Sequence, residues 1–552
     1  MPHITELQNL LLENRGLKTD EEKKKFLNPD FERDMHDPYL MKDMEKAVVR
    51  IFEAMEAKEK IVIYGDYDCD GIPGSVILHD LFKKIGYENF SVYIPDRHEE
   101  GYGLHKEAIE KFKNENVKLI ITVDLGTVNF SEVALAEIFG IDVIITDHHL
   151  VQGSLPRAYA ILNPKREDGE YPEPMLCGAG VALKLVQAFI KKYGGYFKIP
   201  SGWEKWLLDM AGIATLSDMV PLLGENRTIA YFGMKVLQKN RRPGLQKLFN
   251  KLNIDTKYLV EDDITFMITP RLNAASRMDS PRRAFELLAV TDEAEAGALA
   301  DHLSKINDER KILVALTMKE IKQTLSKREE KSVIVIGNPK WRVGVLGLIA
   351  SKIAEEYKRP AFVWGMEGGE TIKGSCRSDG SVNLVEMMGL LPENTLLGFG
   401  GHELAGGFSV SHEQVHFLSE NLEIVYEKTK REFTQGGNYS VDKTMTLDQV
   451  SSENYKVIEK MAPFGLGNPK PTFLFENVEI FSIKRFGKAN DHLEISFKDE
   501  NNSLIKAIQF FKTEESFNQP LKVGNRINLV ANFEKSMFRG RAELRLRIVD
   551  IM

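Results

Sequence analysis

The stretch IVIYGDYDCDG, residues 61–71, runs four apolar or aromatic residues into a glycine and then sets three aspartates on alternate positions, Asp66, Asp68 and Asp70. Carboxylates this close repel one another, which raises their pKa values and destabilises the fold unless cations intervene. Further along, ITVDLGT carries Asp124, IITDHH carries Asp147, His148 and His149, and ATLSDMVPL carries Asp218. Each alone has a bland reading, since an aspartate after a strand is commonly a helix N-cap or a turn former. Together they are oxygen donors with one or two imidazoles and no thiolate, which suits Mn2+ or Mg2+ better than a structural zinc. Five or six ligands are too many for one ion that must also hold water and substrate. Two ions ~3.5–4 Å apart, bridged by a carboxylate, fit better, and such a pair serves in-line displacement at phosphorus. Phosphoester hydrolysis is the chemistry expected.

Those side chains need a scaffold that brings them together. KIVIYG (60–65), VKLIITV (117–123) and IDVIIT (141–146) read as strands, apolar throughout. SVILHDLFKKIG (75–86), SEVALAEIFG (131–140) and GAGVALKLVQAFIKKYG (178–194) read as helices. This alternation predicts an α/β fold with a parallel sheet covered on both faces, whose ligands bind at the carboxyl ends of the strands. Three strands then deliver acids and imidazoles to one edge, with Asp218 at the end of a helix as a further donor. Gly65 and Gly71 are expected to let the chain turn tightly around the aspartates.

The region from about 203 to 290 reads as helical, and 292–328 carries one long helical pattern with Leu299, Leu303, Ile306, Leu313 and Ile321 on one face. At ~1.5 Å per residue it spans ~50 Å and looks like a connector. A second α/β pattern follows in SVIVIG (332–337), VGVLGLIASKIAEEY (343–357) and AFVWG (361–365). GFGGHELAGGF (398–408) reads as a glycine-rich turn, and TQGGN (434–438) as a linker. Beyond it, short alternating strands such as ELRLRIVDI predict a small antiparallel barrel. The organisation expected is a helical segment 1–45, a parallel-sheet domain 46–290, a connector 291–330, a smaller α/β domain 331–433 and a barrel 438–552.

Composition narrows the class further. At 552 residues, 43% hydrophobic and 28% charged, the chain has material for several globular cores. A net charge of −8 argues against coating duplex DNA by bulk charge, though a local basic groove is compatible with it. The three cysteines, Cys69, Cys177 and Cys376, show no C-x-x-C spacing, which argues for a reducing compartment. With neither a signal-peptide pattern nor an apolar run near ~20 residues, a cytoplasmic protein is expected.

GDYDCDG, VDLG, TDHH and the later SD resemble, in order, the four motifs of the DHH phosphoesterase superfamily, and GFGGHELAGGF resembles the Gly-Gly-His motif of its DHH-associated substrate domain. IPDRHEEGYGLH (94–105), TPRLNAASRM (269–278), KGSCRSDGSVNL (373–384) and APFGLGNPKPTF (462–473) extend the likeness to the RecJ family of single-strand-specific 5′→3′ DNA exonucleases. The resemblance implies that Asp66, Asp68, Asp70, Asp124, His148 and Asp218 form a two-metal shell, with Asp68 and Asp70 the firmest direct ligands. It implies that His149 faces the scissile phosphate and that Asp147 orients an imidazole. Arg97, Arg277, Ser375 and Arg377 match the pocket for the 5′ phosphate, where arginine's planar fork suits phosphate oxygens. Gly400, Gly401 and His402 would approach a backbone phosphate. The barrel resembles an OB-fold, in which Arg485, Phe486, Lys488, Phe510, Phe511, Phe533, Lys535, Arg539 and Arg541 are of the right types to track a single strand.

Three positions depart from the family pattern: Leu125 before its glycine, Ser276 where glycine is usual, and Arg342 after Trp341 where histidine is usual. Single-stranded DNA is the implied substrate, two Mn2+ or Mg2+ ions the cofactors, and repair and recombination the setting. A single-strand-binding protein and a helicase are the implied partners of a monomeric enzyme. The rivals are a family phosphodiesterase for short oligoribonucleotides or cyclic dinucleotides, and a DNA-binding scaffold without catalysis. The connector and barrel weigh against the first, the full set of acids and histidines against the second.

Overall fold

The computed structural model describes residues 4–151, 153–367, 371–431, 440–487, 490–517, 519–536 and 542–552. Strands β1 (Lys60–Gly65), β2 (Phe90–Tyr93), β3 (Val117–Val123), β4 (Asp142–Thr146) and β5 (Ala160–Leu162) form a parallel sheet in the order β2-β1-β3-β4-β5. Their apolar residues run without a break because both faces are covered. Ile61, Ile63, Leu119, Ile121 and Ile144 enter one core, and Val62, Tyr64, Ile120, Val143 and Ile145 the other. The first core also takes the helices Met44–Glu56, Gly71–Lys84, Gly178–Tyr193 and Leu208–Ser217. Strands β1, β3 and β4 lie where the apolar runs predict them. The short edge strands β2 and β5 carry too few residues to show a pattern.

A second sheet, β6 (Ile334–Gly337), β7 (Ala361–Gly365), β8 (Ile372–Arg377), β9 (Gly398–His402) and β10 (Ala405–Val410), runs in the order β6-β7-β8-β10-β9. Only its β6–β7 pairing is parallel. The expected glycine-rich turn at 398–408 is instead the β9–β10 hairpin, with Gly401 opposite Gly406 and His402 opposite Ala405. Glycine leaves no side-chain alternation to read, so backbone pairing alone defines these strands.

The helix Glu293–Leu325 joins the two sheets by serving both cores. Leu299, Leu303 and Ile306 pack into the first domain, and Val314, Met318 and Ile321 pack with the helix Val343–Tyr357 of the second.

The barrel comprises β11 (Lys443–Thr444), β12 (Phe473–Phe486), β13 (His492–Lys498), β14 (Leu504–Gln509), β15 (Arg526–Ser536) and β16 (Glu543–Ile551), closed by the β12–β15 pairing. Its β11–β12 and β14–β16 pairings are parallel, so it is not wholly antiparallel. Leu7, Leu11, Leu12 and Phe26, from the helices Glu6–Asn14 and Asp20–Leu27, complete its core beside Phe473, Phe475 and Leu529. Arg15 fastens this contact through Asp442 at 3.3 Å and Asn468 at 3.0 Å. The TQGGN segment lies outside the described residues. Among the described residues no helix is long and apolar enough to cross a membrane.

Candidate active site

The residue following each strand is hydrogen-bonded to its neighbouring strand. Asp66 N donates to Val123 O (3.0 Å), Asp124 N to Thr146 O (2.8 Å) and Asp147 N to Leu162 O (3.0 Å). The sheet therefore presents these acids side by side at its carboxyl edge. The chain leaves β1 to form β2 on one side and β3 on the other, so the acids sit at the switch point, where open α/β sheets bind ligands. Asp124 adopts a left-handed backbone, φ 64°. Gly71 and Gly178 serve by lacking a side chain rather than by turning. A Cβ on Gly71 would lie 2.6 Å from Asp66 O, and one on Gly178 would lie 2.6 Å from Asp124 Cβ. This refines the sequence reading of Gly71, since close helix approach, not a tight turn, demands the glycine.

Asp66, Asp70, Asp124, Asp147 and His148 are buried, whereas Asp68, Asp218 and His149 are partly open. His148 Nε2 lies 3.1 Å from Asp124, 3.6 Å from Asp70 and 3.8 Å from Asp218. Ligand atoms of Asp66, Asp68 and Asp124 lie within 4.8 Å of one another, as do those of Asp70, His148 and Asp218, and those of Asp124, His148 and His149. Asp124 and His148 thus link two adjoining cages. Burial first, and then Asp68, raises the pKa of Asp66 and of Asp70; burial and then Asp70 raises those of Asp124 and Asp218. Burial, then the charge of His149, lowers His148 to about 3, which keeps its imidazole neutral and free to donate a lone pair.

Cations fit this site. Asp66 Oδ1 is buried with no hydrogen-bond partner, and Asp124 Oδ1, though close to His148, accepts no well-aligned hydrogen bond. Crowded acids with orphaned oxygens and a neutral imidazole are the donor set that a pair of hard divalent ions satisfies.

Asp147 differs from its neighbours. It accepts from the backbone N–H groups of Thr127, His148 and His149 and from the His149 ring at 2.8 Å. Burial works against its charge, but the His149 bond and these N–H groups prevail and hold the carboxyl well below its ordinary range. Burial likewise opposes charge on His149, and Asp147 outweighs it, so the imidazolium is favoured. A saturated Asp147 braces His149 rather than offering oxygens to a cation. Asp70 also accepts backbone N–H groups, from Gly178 (2.6 Å) and Ala179 (2.7 Å), which anchors it at the start of a helix. Asp68 accepts from Asp70 N (2.8 Å) and Gly71 N (3.3 Å), just ahead of the helix Gly71–Lys84.

Beside the acids lies a cationic cluster. Arg277 donates to Gly344 O at 3.1 Å, and burial, then Arg97, Arg310 and Arg377, lowers it to about 9. A Cβ on Gly347 would lie 3.1 Å from Arg377 and 3.6 Å from Ser375, so the first turns of the helix Val343–Tyr357 touch the expected phosphate group from both sides. Arg97 lies over the Tyr67 ring, 4.9 Å from its centroid. None of Arg97, Arg277 and Arg377 has a carboxylate partner among the described ion pairs. Arg342, the departure from the family pattern, is engaged elsewhere by Glu367 at 2.5 Å. Gly400, Gly401 and His402 are exposed on β9; partial desolvation of the His402 ring, and then the charge of His149, lowers its pKa.

Tyr102 was not singled out from the sequence, yet its hydroxyl donates to Asp124 O at 3.0 Å and lies 3.1 Å from His149 Nδ1. Its GYG context reads only as a turn. In the barrel, Phe486, Phe510 and Phe511 gather around His492, with Arg547 stacked 4.2 Å from the Phe510 centroid. Phe533 belongs to the core, Lys535 lies 6.0 Å from the Tyr455 centroid, and Arg485 is paired with Glu514 and Glu515. Lys488, Arg539 and Arg541 lie outside the described residues.

Comparison with known proteins agrees with this geometry. Residues 60–215 match the DHH family N-terminal domain, 330–428 the DHHA1 domain and 441–550 the RecJ OB domain. The chain is 35% identical to the single-stranded-DNA-specific exonuclease RecJ of Bacillus subtilis, over 99% of this chain and 68% of that protein. It is 30% identical to the protein of that name from Haemophilus influenzae, over 94% and 92% of the two chains. The crystal structure of RecJ from Thermus thermophilus in complex with Mn2+ superposes with a TM-score of 0.81 at 25% identity, covering 99% of this chain and 76% of that one. A crystal structure of exonuclease RecJ bound to manganese gives 0.62 at 30% identity over 71% and 96%. With three matched domains in order on one parallel-sheet scaffold, the chain belongs to the RecJ family of the DHH superfamily.

Proposed function

We propose that this chain is a metal-dependent exonuclease that degrades single-stranded DNA from its 5′ end to mononucleotides. The observation that carries the reading is a pairing of opposites: buried carboxylates with orphaned oxygens stand beside guanidiniums that lack carboxylate partners. The first half calls for divalent cations, the second for phosphate. Asp66, Asp68, Asp70, Asp124, His148 and Asp218 hold the ions, Mn2+ or Mg2+. When bound, the ions supply Lewis acidity for attack of water at phosphorus.

The chain's own groups do the rest. Asp147 holds His149 through Nδ1, which leaves Nε2 to present a proton to the scissile phosphate. Arg97, Arg277, Ser375 and Arg377 take the terminal phosphate, and a pocket for a terminal group sets the direction of travel. Gly400, Gly401 and His402 close over the adjoining backbone. The aromatic group of the barrel stacks bases of the incoming strand. The working units are the segments 1–45, 46–290, 291–330, 331–433 and 438–552. The enzyme acts as a cytoplasmic monomer in repair and recombination, with a single-strand-binding protein and a helicase supplying its strand.

Single strands labelled at either end test this reading, with Mn2+ and with chelator. The expected result is labelled mononucleotide from the 5′ end, abolished by chelation. Digestion from the 3′ end, or preference for a cyclic dinucleotide, would overturn it.

A further inference from the structure

The short strand β5 brings a fourth strand end to the edge that carries the acids. Beyond Leu162 the chain reads Asn163-Pro164-Lys165. Asn163 is buried and its amide donates to the backbone O of His149 at 2.9 Å and to Thr127 Oγ1 at 3.1 Å. Its Oδ1 accepts from Lys165 N at 2.9 Å. The turn bearing Lys165 is therefore bolted to the backbone that bears the two histidines. Lys165 is half-buried, and no described carboxylate lies within ion-pair reach of it. Its neighbour Arg166 turns the other way, to Asp43 and Asp168.

The carboxylates of Asp218, Asp147, Asp124 and Asp70 all act on Lys165. The alignment of β5 beside β4, with Asp147 N donating to Leu162 O, sets the turn bearing Lys165 at the same carboxyl edge as these acids. Burial, the largest influence, lowers Lys165, and the surrounding acids oppose that shift. A lysine stem is flexible and ends in a compact point charge, suited to a substrate that moves past it.

We infer that Lys165 is a further substrate-contacting residue, whose ammonium binds a nonbridging oxygen of the scissile phosphate and stabilises the charge that builds there. The inference rests on the exonuclease reading above. Stabilisation of this kind acts most strongly in the transition state, because the ammonium is already in place when charge develops.

The full-length chain, with Lys165→Met, Lys165→Arg and Lys165→Cys variants, tests it. Steady-state kinetics use a 5′-phosphorylated oligothymidylate, and Mn2+ affinity is measured separately by calorimetry. Wild-type release of mononucleotide first establishes the underlying activity; without it the exonuclease reading fails, and this inference with it. Given that activity, Lys165→Met is expected to lower kcat by ~100-fold with Mn2+ affinity unweakened. Lys165→Arg should recover part of the loss, and aminoethylation of Lys165→Cys, which rebuilds a lysine-like ammonium, should restore most of it. Unchanged kcat with tighter Mn2+ binding would overturn the inference, since Lys165 would then be only a counter-charge for the acids. Lost Mn2+ binding, or no recovery on aminoethylation, would also overturn it by assigning the residue a structural role.

Discussion

The two charged halves of the cleft crowd like charges by different means. The carboxylate half is built by backbone: each acid follows a strand or helix end, and glycines at 71 and 178 let helices press against it. The guanidinium half is built by side chains from three places, the loop of Arg97, the helix of Arg277, and β8 with Ser375 and Arg377, packed against the glycines of an adjoining helix start. Backbone placement fixes ligand atoms to a fraction of an ångström, as paired cations require. Long arginine stems across two domains give reach, as a substrate that must enter and leave requires. Burial leaves the acids poor anions and lowers the arginines, so each half is completed by the charge it lacks.

Breaking each half in turn should separate them. Asp124→Ala removes a member of one cage and the carboxylate that links it to the other through His148, and should lower kcat/KM by at least ~1,000-fold, measured as release of a 5′ label in Mn2+; a loss under tenfold would show that the acids are not the reaction centre. Arg277→Ala should raise KM for 5′-phosphorylated strands by ~10–100-fold, the equivalent of one charge-assisted contact, with kcat held. Strands with a 5′ hydroxyl should change little, and an equal loss on both would separate Arg277 from the terminal phosphate. Tyr102→Phe removes the hydroxyl between Asp124 and His149 and should lower kcat by ~10-fold at constant KM in single-turnover assays. An unaltered kcat would reduce Tyr102 to a brace for its loop. Arg342→Gln breaks a half-exposed pair with Glu367 and should change stability by less than ~1 kcal/mol in thermal unfolding, with the 5′-phosphate preference intact. A lost preference would move Arg342 into the cationic half.

The carboxylate half was legible in the sequence for the same reason that it is rigid. A continuous apolar run followed by an acid is a local pattern, and strands β1, β3 and β4 needed no partner to be recognised. The rest depended on contacts distant in the chain. β5 is the three residues Ala160–Leu162, too short to show a period, and Lys165 was hidden with it. Tyr102 earns its place through a hydrogen bond to a residue on another strand, which no spacing reveals. The β9–β10 hairpin lacked the side chains that alternation is read from. The N-terminal helices show an apolar stripe, but nothing in that stripe says it faces the far end of the chain.

That last contact has a consequence for how the molecule is made. Asn14 and Asp442, hydrogen-bonded in the finished fold, are separated by 428 residues. At ~5–20 residues per second, the helices carrying Leu7, Leu11, Leu12 and Phe26 wait roughly 20–90 s for the barrel that buries them. This apolar surface is made long before its cover, so the nascent chain carries it exposed while the parallel-sheet domain folds between the two partners.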